Sequence, residues 1–358
     1  MAQINKPDEY FNTLLWTGNS STQSITGNNF IADLTWSKSR SDAESHILMD
    51  TVRDAGTTLN QAIISNSTNA EGLLNNSSTL TVNSTGFDLD GTSGGTLNFN
   101  GYTYATWLWR AGGHTGSSNT DGSITSTVSA NTTSGFSIVS YTGNATAGET
   151  VGHGLGVTPS MIILRNRDIV ENWFVYHKDL TLSGVPAENV YLTLDTTNAV
   201  ADYPVWNDTA PGSNVFTVSQ HAFINGSGNN IIAYCFAEKQ GYSKFGSYVG
   251  NGTGDGSFIY TGFKPAFVMV KNTSAARNWT ILDNKRDAFN SCSIRLFPNS
   301  SEAEAGSVGS EAMADILSNG FKTRTNDANF NASGNNYIYM AFAENPLVGT
   351  NNIPATAR

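Results

Sequence analysis

Trp16-Thr17-Gly18-Asn19, Tyr141-Thr142-Gly143-Asn144 and Tyr248-Val249-Gly250-Asn251 are three versions of one phrase. Each opens a stretch that closes on an aromatic, alternating run, at 104–109, 231–236 and 337–342. Opening glycine and closing aromatic stand about 92 residues apart every time, which is the signature of an internal repeat. Landmarks between the ends keep step. An apolar run ending in a cation recurs at 34–38, 161–165 and 267–271, finishing on Lys38, Arg165 and Lys271. A basic-acidic pair follows as Arg53-Asp54, Lys178-Asp179 and Arg286-Asp287. Units two and three share Asn172-Trp173 and Asn278-Trp279, where unit one has His46-Ile47. Phe87, Phe216 and Phe321 each begin a short alternating run. Asn225-Gly226-Ser227-Gly228 and Asn331-Ala332-Ser333-Gly334 precede the last strand of units two and three.

Period-two patterns rich in aromatic and β-branched residues, such as Phe136-Ser137-Ile138-Val139-Ser140-Tyr141, read as strands. Runs apolar on both faces, Met161-Ile162-Ile163-Leu164 among them, fit central strands covered by a layer on each side. Asn-Gly, Gly-Asn and Asp-Gly pairs supply the positive-φ positions of hairpin turns. The expected fold is therefore all-β, with three tandem β-sandwich repeats of jelly-roll or concanavalin-like type. The repeats are expected at 1–113, 136–240 and 241–346, with a Gly/Ser/Thr/Asn-rich linker at 114–135 and a C-terminal tail at 347–358. Within that linker, 123–128 alternates well enough to form a strand of its own.

At 358 residues the chain exceeds the usual size of a single core, and the repeat divides it in three. Only 13% of residues are charged, which suits short strands joined by many turns. A net charge of −10 without a basic cluster repels phosphate backbones, so nucleic acid is not an expected partner. No window reaches the length of a membrane span, and the start lacks an apolar signal core, so synthesis in a cytosol without membrane insertion is expected. Cys235 and Cys292 fall at non-equivalent places and read as small buried apolar residues.

Several phrases resemble a family of uncharacterised structural proteins, tail-fibre-like or lectin-like, from marine tailed bacteriophages: Lys6-Pro7-Asp8-Glu9-Tyr10-Phe11-Asn12-Thr13, Asp121-Gly122-Ser123-Ile124-Thr125-Ser126, Gly152-His153-Gly154-Leu155-Gly156-Val157, and Tyr337-Ile338-Tyr339-Met340-Ala341-Phe342-Ala343-Glu344-Asn345-Pro346. The resemblance covers nearly the whole chain. It implies a virion protein, made in the host cytoplasm, that contacts other virion proteins and oligomerises, a trimer being natural for a fibre. The expected role is a tail fibre or tail-associated adhesion protein binding host surface glycan. The alternative is a capsid or tail decoration (cement) protein with a purely architectural role.

No catalytic, cofactor-binding or metal-binding residue is named from the sequence, and no enzyme activity is expected. The glycine clusters 152–156 and 250–256 lack the Lys and the strand-to-helix setting of a phosphate loop. His46, His114, His153, His177 and His221 show no metal-ligand spacing. Asp88-Leu89-Asp90-Gly91 alternates oxygen ligands as a calcium loop does, without the completing Glu. Glu171, Asp179, Glu188 and Asp195 supply carboxylates to one unit, but nothing pairs two of them as glycoside hydrolysis requires. The recurring basic-acidic pair, Trp173 and Trp279 read as scaffold, because a feature present in several copies is first explained by their common fold.

Overall fold

The computed structural model of the chain describes residues 3–74, 78–90, 97–306, 311–349 and 354–356. Its regular structure is nearly all strand, and every strand-to-strand ladder is antiparallel. Three sheets contain the same run of neighbours: an opening strand, a closing strand, the strand built from the apolar run with its cation, and a fourth strand. In the first segment these are Phe11–Thr17, Thr103–Trp109, Leu34–Ser39 and Ile47–Asp50. In the second they are Phe136–Thr142, Asn230–Phe236, Met161–Asn166 and Phe174–His177. In the third they are Ser243–Val249, Asn336–Pro346, Phe263–Asn272 and Trp279–Asp283.

A smaller sheet covers one face of each. Gln23–Thr26 pairs with Gly86–Leu89, Glu149–Gly152 with Val215–Val218, and Phe258–Tyr260 with Gly320–Thr323. Phe87, Phe216 and Phe321 are fully buried second residues of these strands, opposite Ile25, Val151 and Ile259. The chain is thus built of two-sheet sandwiches. The stretch expected as a linker is not one throughout. Ser117–Asn119 and Ser126–Asn131 extend the second segment's large sheet, because Ser126 and Val128 alternate inward and pair with Tyr141 and Val139.

The recurring phrase is a clasp. A Cβ on Gly18, Gly143 or Gly250 would lie 2.1, 2.4 or 2.3 Å from the carbonyl oxygen of Phe99, Gly226 or Ala332, so only glycine admits the approach. The next residue's amide then donates to a buried Asn: Asn19 to Asn98, Asn144 to Asn225, and Asn251 to Asn331. Gly101, Gly228 and Gly334, all at positive φ, return amides to the carbonyls of Gly18, Gly143 and Gly250. Asn98-Phe99-Asn100-Gly101 is therefore the first segment's counterpart of 225–228 and 331–334.

The large sheets are buried on both faces. One face packs under the smaller sheet, as Trp16, Tyr104 and Leu108 do with Ile25 and Phe87. The other face meets the remaining segments in one continuous core holding Phe11, Trp107 and Trp109, Phe136 and Phe236, and Phe267, Met340 and Phe342. Phe342 is 1% exposed and has six ring neighbours drawn from all three segments: Phe11, Trp109, Phe236, Tyr242, Phe245 and Phe267. That shared face explains why the inner strands are apolar on both sides.

Candidate functional site

Equivalent residues make equivalent contacts where segments meet. Trp173 Nε1 donates to the Ile64 carbonyl at 2.9 Å, and Trp279 Nε1 to the Thr193 carbonyl at 2.8 Å. In the same place His46 packs against the Phe297 backbone without a well-formed hydrogen bond. The amides of Glu71, Glu304 and Val200 donate to the carbonyls of Arg167, Arg40 and Thr273. Tyr234 donates to Asp50 at 2.8 Å and Trp107 to Asp283 at 3.1 Å. His177, which the strand register aligns with those two aspartates, bonds instead to the Tyr339 carbonyl at 3.2 Å. Each set joins the first segment to the third, the third to the second, and the second to the first.

Buried charges run through two of the three seams. Asp50, Arg53, Glu71 and Arg167 form one chain of ion pairs, at 2.5, 2.6 and 2.6 Å. Asp283, Arg286, Glu304 and Arg40 form the other, at 2.5, 3.2 and 2.9 Å. The basic-acidic pair is thus structural in the first and third segments, but the pairing is Asp50 to Arg53 and Asp283 to Arg286. Asp54 and Asp287 instead accept backbone amides of their own loops. Lys178-Asp179 is not the second segment's counterpart, because the register puts His177 and Leu180 in the places of the Asp and the Arg. Both are buried, and burial holds the His177 ring down at about 3.

The cations ending the apolar runs, Lys38, Arg165 and Lys271, are buried against backbone carbonyls. Lys271 Nζ donates to Thr197 and Arg277, and Lys38 Nζ to Ser39 and Asp42. Burial pulls the two lysines down to about 7 and about 8. An unfolded lysine keeps its proton to about pH 10.4, so between pH 7 and 8.5 the unfolded chain binds more protons and native stability rises with pH. The urea midpoint is expected to increase across that window, which ends near where an unfolded thiol ionises and Cys235 begins to oppose the trend. In Lys271→Met the increase should shrink, and an unchanged slope would contradict this account.

Of the other sequence candidates, Trp173 and Trp279 are core. His153 is buried between the Gly212 carbonyl and the Leu155 amide, while His221 stacks on Phe223. His114 differs: it is partly exposed and bonded to buried Asp33. Asp195 accepts the Trp173 amide, and burial raises it to about 6, with Arg165 and Glu171 in electrostatic reach. Asp88 accepts Asn83 at 3.0 Å, and Gly91 lies outside the described residues. Cys235 and Cys292 are buried thiols that form no disulfide among the described residues.

Equivalent positions also act as internal controls: what recurs belongs to the scaffold, and an exposed group found once asks for another explanation. The smaller sheets supply the clearest case. Outward positions flanking Ile25 hold Ser24 and Thr26, and those flanking Val151 hold Thr150 and Gly152. Flanking Ile259 they hold Phe258 and Tyr260, 48% and 56% exposed on an edge strand. Gly320, opposite Tyr260, is buried, and the edge of the Phe258 ring lies over the place its side chain would take. Polar groups border the rings. Lys322, opposite Phe258, reaches Asp255 at 2.6 Å, and Arg324 Nε reaches Asp315 at 2.6 Å. Asp255 is held below the usual carboxylate range, chiefly by its hydrogen bond from Lys322. Sequence alone did not single these residues out, because Phe258-Ile259-Tyr260 alternates and only the pairing of Ile259 with Phe321 says which side faces out.

The fold and this face define an all-β, sandwich-built protein with an exposed aromatic surface on a scaffold held by buried seams. The chain belongs to the family described as a domain of unknown function, DUF7483, whose match spans residues 6–346 and so takes in all three segments. No curated protein and no solved structure matches it.

Proposed function

We propose that the chain is three copies of one jelly-roll-like module closed about a pseudo-threefold axis, and that it serves as a non-catalytic virion structural protein adhering to host surface glycan. Closure follows from seams that run head to tail through all three segments, the arrangement by which unlike surfaces form a ring and not a filament. One observation carries the adhesive reading: Phe258 and Tyr260 stand exposed where the other copies hold Ser24, Thr26, Thr150 and Gly152. Exposed aromatic rings on an edge strand offer an apolar surface to sugar C–H groups, and Asp255, Lys322, Asp315 and Arg324 offer hydroxyl partners at its border. Binding of this kind is weak per site and gains strength through many copies on one particle.

The test is retention of the purified chain on immobilised host polysaccharide. Tyr260→Ala is expected to weaken retention about tenfold, equivalent to about 1.4 kcal/mol, whereas Ser24→Ala and Thr150→Ala leave it unchanged. Equal loss in all three variants, or none in Tyr260→Ala, would remove this face from the account. The architectural alternative, a decoration protein of capsid or tail, draws on the shared core, which makes the three segments one rigid body. Saturable binding to stripped heads without glycan retention would favour it.

A further inference from the structure

A second departure from the threefold scheme lies between the first and second segments, where the loop 112–119 is flanked by two adjoining cavities of about 340 and 440 Å³. Gly112, Gly113 and His114 line both. Asp33, 1% exposed, accepts the Ala111 amide at 2.7 Å, the Thr51 hydroxyl at 3.0 Å and His114 Nδ1 at 3.1 Å. Its carboxylate is therefore committed, and it fixes the His114 ring with Nε2 on the far side, without a partner among the described residues. Arg110 lines the larger cavity, has no carboxylate partner among the described residues, and sits 6.0 Å from the Tyr10 ring. Gly112 donates to Ser129 Oγ, but the amides of 113–116 make no hydrogen bond among the described residues.

Unbonded loop amides thus stand beside one uncompensated guanidinium in a chain of net charge −10. Following the closing strand, the places of Arg110 hold Ala237 and Ala343, and those of Asp33 hold Ser160 and Ala266, so the arrangement exists once. We infer that this loop and its paired cavities form a binding site for an oxyanion, a carboxylate or a sulfate or phosphate group, gripped by Arg110, the free amides of the loop and Nε2 of the protonated His114 ring. Consecutive free amides in a turn are an anion-binding concavity, and a planar guanidinium adds bidentate donors. The site does not rest on the glycan reading of Phe258 and Tyr260.

The test titrates the full chain with sodium sulfate, sodium phosphate and sodium glucuronate at constant ionic strength set by chloride, following the histidine ring resonances by NMR, with His114 assigned through His114→Gln. The His114 signals are expected to move to a saturable limit while those of buried His153 and His177 stay fixed. In Arg110→Ala, a surface change that leaves the fold intact, the apparent Kd should rise at least tenfold. The salt that saturates first identifies the group: glucuronate a carboxylate, sulfate or phosphate a tetrahedral ester. Movement that stays linear for all three salts, or is the same in Arg110→Ala, would overturn the assignment.

Discussion

Replacing Phe342 by alanine is expected to lower the unfolding free energy by about 3–5 kcal/mol, the range for truncating a buried aromatic. The ring is fully enclosed by six others, and no small shift of one strand fills the space it leaves. Those six rings come from all three segments, so the loss falls on the whole molecule. Urea unfolding followed by tryptophan fluorescence, with amide exchange read separately in each segment, should show one transition displaced as a unit. Protection lost only in 241–346, with the other two unchanged, would mean that the segments are independent and that the central face is mere contact.

Asp283→Ala should cost a similar amount, about 3–5 kcal/mol, because removing one member of a buried ion pair strands the rest. Four donors lose their acceptor: Arg286 Nε, the amides of Arg286 and Lys285, and Trp107 Nε1 from the first segment. Glu304, 3.2 Å from Arg286, softens this in part. Removing both charges with apolar side chains of like size should hurt less than removing one, so Asp283→Leu with Arg286→Met is expected to be the more stable variant. The second segment already lives with such an exchange, since His177 and Leu180 stand in those places. Denaturation midpoints of the single and double variants decide it, and a single variant costing under about 1 kcal/mol would show the pair to be dispensable.

The clasp was legible because its glycines and asparagines are each demanded by a specific backbone approach, which leaves little freedom of residue type at Gly18, Gly143 and Gly250. The first copy's Asn98 escaped notice, since Phe99 and Asn100 stand where the other copies have small residues. Lys178-Asp179 misled for the opposite reason: the dipeptide looks right, but only strand pairing shows that it lies out of register. The stretch 114–135 read as a connector on composition, which records turn residues and not the alternate burial of Ser126 and Val128. The common core was hidden in plain sight. A strand apolar on both faces announces two covering layers without saying that one of them is another segment of the chain. Neither Phe258 nor Arg110 carries a motif; each becomes visible only when the three segments are compared by strand register.

The strand that bears Phe342 is Asn336–Pro346, which follows every other strand of the three large sheets in the chain. Until those eleven residues emerge, the third sheet lacks one of its two inner strands and the shared core lacks Met340 and Phe342. A chain stalled short of residue 336 therefore leaves Trp109, Phe236 and Phe267 without the ring they share, a sticky surface for chaperones or for other nascent copies.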